Sequence, residues 1–232
     1  MHAVILAGGL GTRLKPFTEI IPKPLLPIGE KSLLERQIIA LKDAGFTTVH
    51  LATNYKSELV ESYLGNGDKF GIVIHYSKED KPLGSCGPIS LLKDHLGPEP
   101  FLVMNGDILT NTNLGDVMKF GAKRDVALTV ATKIISTPFR FGNVEVEDDF
   151  LIGVEEKPEF NFEVLAGIYV MTPEIFHDIP FNQHYGMDQL IQKMLAESKP
   201  ISRYLIRDYW LDIGQVEDYS KAREEFSQVF DK

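Results

Sequence analysis

Short aliphatic and β-branched runs recur along the chain at 3–7 ("AVILA"), 47–53 ("TTVHLAT"), 72–76 ("IVIHY"), 101–104 ("FLVM") and 126–132 ("VALTVAT"). The more apolar runs predict strands buried on both faces of a sheet. Helical patterns fill most of the intervals. The clearest is "SLLERQIIALKDAG" at 32–45. There Ser32 and Glu35 form a capping box, Leu34, Ile38 and Leu41 share one face, and Gly45 supplies the stop. Strand, helix, strand in repetition predicts crossover units and a mainly parallel α/β sheet.

After about residue 140 the pattern changes. "GNVEVEDDFLIGVEEK" at 142–157 reads as two short strands around an acidic turn, so a smaller β-rich section is expected there. Beyond it the pattern predicts a strand at 165–171, helices near 173–178 and 187–197, a strand at 201–206 and a last helix from about 215 to 227. No linker-like tract or internal repeat interrupts the 232 residues, so one domain over 1–232 is expected.

Composition narrows the function classes. With 44% hydrophobic and 25% charged residues the chain can bury a sizeable core, and its apolar runs fall far short of the roughly 20 residues of a membrane span. No leader pattern opens it, so no membrane association and a cytoplasmic location are expected. Cys86, the single cysteine, excludes an internal disulfide and a cysteine-based zinc site. A net charge of −9 disfavours nucleic acid as a partner. Within residues 1–31, by contrast, Arg13, Lys15, Lys23 and Lys31 face only Glu19 and Glu30, giving +2 against −11 for the remainder. Positive charge gathers where the glycines are.

Those glycines lie in "GGLGTRLKP" at 8–16, directly after the first strand, where α/β sheets collect ligands. Glycine lets backbone N–H groups approach phosphate oxygens and turn inward. A dinucleotide fingerprint fails because Leu14 stands where its third glycine belongs, and the P-loop's G-K-S/T is absent. From the glycines alone, a tight turn with a surface arginine is an equal reading.

The continuation decides it. "GGLGTRLKPFTEIIPKPLLP" is followed in order by "PLGSCGP" (82–88), "NGD" (105–107), "FGNVE" (141–145), "EKP" (156–158), "AGIYV" (166–170) and "WLDIG" (210–214). This ordered set, covering nearly the whole chain, resembles the signature of the sugar-1-phosphate nucleotidyltransferases, most closely the short mannose- or heptose-1-phosphate guanylyltransferases. The resemblance implies a Rossmann-like, mainly parallel mixed sheet with a small sugar-binding β section, and the length implies no appended β-helix. It also implies the reaction: NTP and a sugar 1-phosphate give an NDP-sugar and pyrophosphate.

The same resemblance distributes the roles. Arg13 suits the departing β- and γ-phosphates and Lys23 the α-phosphate, while Asp107 and Asp212 match the family's two metal carboxylates, for Mg²⁺. Either aspartate could instead cap a following helix. Leu6, Ala7, Gly8, Gly9, Gly11, Thr12, Pro82, Gly84, Asn105 and Gly106 would line the nucleotide. Glu79 falls where the family reads the base edge, and its acceptor-only carboxylate favours guanine. Gly142, Glu156, Lys157 and Gly167 match the sugar and sugar-phosphate positions, although Glu156 and Lys157 also read as exposed strand-end charges. Leu165 replaces the asparagine of many relatives, which leaves the sugar open.

Three alternatives stand beside this reading: a uridylyl- or thymidylyl-transferring member, a glycosyltransferase (which would usually show the D-x-D this sequence lacks), and a non-catalytic NDP-sugar-binding homologue. Homo-oligomer formation stays open.

Overall fold

Ser32 begins the helix that the pattern assigned to it. Its hydroxyl accepts from Glu35 N while Glu35 Oε2 accepts from Ser32 N, a reciprocal cap worth about 1 kcal/mol. Leu34, Ile38 and Leu41 are all fully buried, each contributing about 1.5–3 kcal/mol by leaving water.

The computed structural model describes residues 1–230. In chain order, β1 (His2–Leu6), the glycine-rich loop and α1 (Phe17–Ile20) lead to β2 (Pro27–Ile28), β3 (Lys31–Ser32) and α2 (Leu33–Asp43). Next come β4 (Thr48–Thr53), α3 (Ser57–Leu64), β5 (Val73–Lys78), β6 (Phe101–Asn105), β7 (Ile108–Thr110) and α4 (Leu114–Ala122). The remainder is β8 (Leu128–Pro138), β9 (Asn143–Glu147), β10 (Phe150–Glu155), β11 (Glu159–Met171), α5 (Met187–Ala196), β12 (Ile201–Ile206), β13 (Trp210–Asp212) and α6 (Val216–Phe230).

Seven strands form the central sheet in the order β12-β8-β11-β6-β1-β4-β5. β1 pairs in parallel with β4 and β6, β4 with β5, and β8 with β12. Only β11 runs against its neighbours, so the sheet is mixed and mostly parallel, as the crossover pattern requires. Successive side chains of β1 enter opposite layers. Ala3 and Ile5 join the core that includes Leu34, Ile38, Val60 and Val117 of α2, α3 and α4, whereas Val4 joins Ile89, Leu92, Met187 and Leu190 on the other face. A third cluster, with Leu14, Leu33, Ile213 and Phe226, seats α6 against the start of the chain.

Two expected strands are parts of longer ones. β8 continues to Pro138 and β11 starts at Glu159, and beyond the sheet they pair only with each other, from Glu159 opposite Pro138 to Glu163 opposite Ile134. Their outer positions are exposed, which explains why no burial pattern marked them. The acidic hairpin is present as β9 and β10. The stretch near 173–178 is a 3-10 turn, Pro173–His177, rather than an α-helix.

Candidate active site

The carboxyl ends of β1, β4 and β6 open into a cavity of about 480 Å³. Leu6, Ala7, Gly8, Gly9, Gly11, Thr12, Arg13, Lys23, Glu79, Pro82, Gly84, Asn105, Gly106 and Asp107 all line it. These are all the residues expected at the nucleotide, with three of the four expected to act on the phosphates. Asp212 stands at the rim beside Gly214, which does line the cavity.

The loop's shape follows from a few contacts. Gly11 adopts φ +63°, a left-handed backbone, and a Cβ there would come within 2.8 Å of Thr18 Cγ2 and 3.1 Å of Lys23 Cβ. Glycine is required on both counts. Leu14, between Arg13 and Lys15, is fully buried and roots the loop in the third cluster. Arg13 itself remains exposed.

Lys23 and Asp107, 84 residues apart, meet at 2.6 Å (Nζ to Oδ2). The loop carrying Asp107 is pinned from below by Gln37 of α2, whose buried amide donates to Asn105 O at 3.0 Å and Ile108 O at 2.8 Å. β13 then brings Asp212 alongside: Asp212 pairs with Ile108, and Ile213 N donates to Asp107 O. A Cβ on Gly214 would lie 3.6 Å from Arg13 Nη2 and 3.8 Å from Asp212 Oδ1. Guanidinium and carboxylate therefore border one small volume.

Neither aspartate serves as a helix cap. Asn113 caps α4 through bonds from Gly115 N and Asp116 N, and Asp218 takes the N–H groups of Gly214 and Gln215 ahead of α6. Asp107 Oδ1 is buried with no hydrogen-bond partner. The protein around Asp212, with the Asp107 and Asp218 carboxylates, raises its carboxyl above the usual range against the opposing pull of Lys23 and Arg13. Solvent still reaches this exposed side chain, which moderates the shift. An orphaned buried oxygen beside a second carboxylate that resists ionisation is a donor set suited to a hard divalent cation.

On the opposite wall Glu79 is half-buried. Its Oε2 accepts from Leu83 N at 2.7 Å, and Oε1 lies close enough to Gly8 that a Cβ there would approach to 2.7 Å. Burial pushes its carboxyl upward, partly offset by the Leu83 N–H. Cys86 is fully buried behind this loop and its thiol is pushed up to about 12 by that burial, so it is a packing residue.

The sugar-side candidates are placed differently. Gly142, Glu156 and Lys157 do not line the cavity; Glu156 and Lys157 are exposed on the arm formed by β8 to β11. They do form a local group, since a Cβ on Gly142 would lie 3.1 Å from Glu156 Oε2. Gly167 is nearer. A register shift between Leu165 and Tyr169 throws it to φ +66° with its Cα facing Asn105, and Trp210 Nε1 fastens the bulge through Ala166 O.

Asn54, Leu83, Ser85, Pro88 and Gly214 also line the cavity. Leu83, Ser85 and Pro88 fall inside the motif "PLGSCGP" and Gly214 inside "WLDIG", though none was given a role; Asn54 was not singled out, although it follows β4 where a ligand-facing residue belongs.

This combination, a glycine-rich loop at the end of the first strand of a mostly parallel sheet with cations and carboxylates converging beyond it, defines a nucleotide-handling α/β protein. The chain belongs to the nucleotidyl transferase family, whose model matches residues 2–229. That family generally uses a divalent metal ion. A rice protein named Probable mannose-1-phosphate guanylyltransferase 3 is 34% identical over 227 residues, covering 94% of this chain and 63% of its own length. The mannose-1-phosphate guanylyltransferase catalytic subunit beta of Drosophila pseudoobscura is 33% identical, with 94% and 60% covered. The chain thus spans about three-fifths of these relatives. The crystal structure of HddC from Yersinia pseudotuberculosis superposes with a TM-score of 0.76 at 27% identity, covering 97% of this chain and 99% of that one, and the same protein has been crystallised with GMP-PN. Among the described residues, no helix is long and apolar enough to cross a membrane.

Proposed function

We propose that the chain transfers a nucleotidyl group from GTP to mannose 1-phosphate, giving GDP-mannose and pyrophosphate. The observation that carries this reading is the convergence of Arg13, Lys23, Asp107 and Asp212 at one end of a cavity floored by backbone of the glycine-rich loop.

The chemistry asks for electrostatics and little else. A sugar phosphate has a second pKa near about 6, so its oxygen is already a charged nucleophile at neutral pH and needs no general base. It attacks the α-phosphorus, the bond to the bridging oxygen breaks, and pyrophosphate leaves with that electron pair. The obstacle is repulsion between two polyanions, which fixed positive charge overcomes. Arg13 presents a planar fork to the β- and γ-phosphates. Lys23 keeps two donors free of its Asp107 bond and offers them to the α-phosphate. Asp107 and Asp212 would hold Mg²⁺, which when bound neutralises charge on the α-phosphate and the incoming sugar phosphate.

Base choice falls to Glu79: guanine's adjacent N1–H and N2–H donors suit an acceptor-only carboxylate, whereas uracil and thymine offer one. The names of the relatives support guanine and mannose together. Gly142, Glu156, Lys157 and Gly167 are assigned to the sugar phosphate, Lys157 as its cation and Glu156 as hydroxyl acceptor.

The test is pyrophosphate release with Mg²⁺, crossing GTP, ATP, UTP, CTP and dTTP with mannose, D-glycero-D-manno-heptose, glucose and N-acetylhexosamine 1-phosphates. The expected maximum is GTP with mannose 1-phosphate. A different best pair replaces the substrate assignment, and no release from any pair overturns the reading.

A further inference from the structure

Lys56, between β4 and α3, lies outside the cavity and has no part in the chemistry above. We propose that it is a positioning residue that clamps the segment behind the glycine-rich loop and thereby sets where Arg13 and Lys23 meet the triphosphate; the inference rests on the function proposed above.

The hydrogen-bond accounting carries it. α1 is a single turn, and such a turn leaves its last carbonyls without helical partners. Phe17 O is taken by Ile21 N. The next three, Thr18 O, Glu19 O and Ile20 O, receive the Lys56 ammonium at 3.5, 2.6 and 2.9 Å. An ammonium has three donors and no acceptor, so all of its capacity is spent on this one turn.

α1 in turn holds the loop. Thr18 Oγ1 donates to Gly11 O at 2.8 Å, the same carbonyl that accepts from Leu14 N, and Gly11 packs against Lys23 Cβ. A path of close contacts therefore runs from Lys56 through Thr18 and Gly11 to Lys23, and through the Gly11–Leu14 turn to the chain segment that carries Arg13. Its other end is tied to the base side, because Asn54, two residues before Lys56, lines the cavity next to Gly8.

A second observation is independent of these bonds. Lys56 adopts φ 53° and ψ 35°, a left-handed backbone that glycine or asparagine accepts more easily. The chain bears this cost at the position whose side chain makes the clamp, the pattern expected where local strain serves a site.

The test compares Lys56→Met, which keeps the stem and loses the donors, with Lys56→Arg, which keeps charge and donors. In Lys56→Met, amide exchange in residues 10–21 is expected to rise about 10-fold while β4, α3 and the sheet exchange as in the wild type. The KM for GTP should rise about 10-fold with the KM for mannose 1-phosphate unchanged, and Lys56→Arg should recover most of both effects.

Unchanged exchange in 10–21, faster exchange without any change in GTP affinity, a uniform rise over the whole chain, or an arginine variant as defective as the methionine variant would each overturn the clamp. If the wild type releases no pyrophosphate from any pair, that failure belongs to the proposed function. Exchange and calorimetric binding of GTP with Mg²⁺ then decide the clamp on their own.

Discussion

The nucleotide end and the β8 to β11 arm use the same kind of evidence in the sequence, short motifs of glycine and charge, yet they hold their residues in opposite ways. At the nucleotide end, the carboxylates and the loop turn are fixed by backbone pairing or a close neighbour: Asp107 by Lys23, Gln37 and β13, Gly11 by Thr18, Glu79 by Leu83. On the arm, Glu156 and Lys157 stand exposed at a strand junction, outside the cavity their partners line. A polyphosphate needs preorganised charge because reorganisation at the moment of reaction costs rate. A sugar phosphate can be met by groups that take up position around it.

The largest effect that would break this contrast is expected from the fixed end. Asp107→Ala or Asp212→Ala should cut turnover about 100-fold or more, by analogy with deleting one electrostatic stabiliser. Steady-state pyrophosphate release measures it, and near-normal rates in both variants would remove the carboxylate pair from the mechanism.

Burial elsewhere in the same sheet has a pH cost that the exposed arm does not share. His50 on β4 is 2% exposed, stacks on His2 with ring nitrogens 3.1 Å apart and lies tilted against His75, and burial with the neighbouring imidazoles, including His95, lowers it to about 4. In the unfolded chain its pKa returns to about 6.5. Stability fully present above that value is therefore lost as pH falls from about 6.5 toward 4, by about 3 kcal/mol in all. Urea midpoints across this window should show the slope, and His50→Leu should flatten it. An unchanged slope would place the acid sensitivity elsewhere.

The smallest effect sharpens the comparison from the arm. Lys157→Met is expected to raise the KM for mannose 1-phosphate about 10-fold and to leave the KM for GTP unchanged. Equal changes in both constants would mean that arm and cavity act as one preorganised unit.

Legibility followed the same division. The capping box at Ser32, the strands that feed the cavity and the glycine-rich loop could be read directly, because each rests on neighbours three or four residues away or on a run buried on both faces. Asp107 and Asp212 could be paired only through a family resemblance, since the contact that joins them is β13 laid against β7, about a hundred residues later. Asn54 was missed because its type does not distinguish it from other loop residues, and Gly214, although inside the motif "WLDIG", was given no role. The long outer halves of β8 and β11 were missed because strands that pair only with each other, open to solvent, show no regular burial period.

The order of residues along this chain determined the elements, their caps, the turn at Gly11 and the inventory of charge available for phosphate. Those are consequences of short-range sterics and of which side chains water rejects. Only the tertiary structure decided that Lys23 meets Asp107, that Asp218 rather than Asp212 caps the last helix, that β11 alone runs antiparallel in the sheet, and that Lys56 saturates the end of α1. Such contacts depend on which distant segments the sheet order brings together, a choice made by the packing of the whole core.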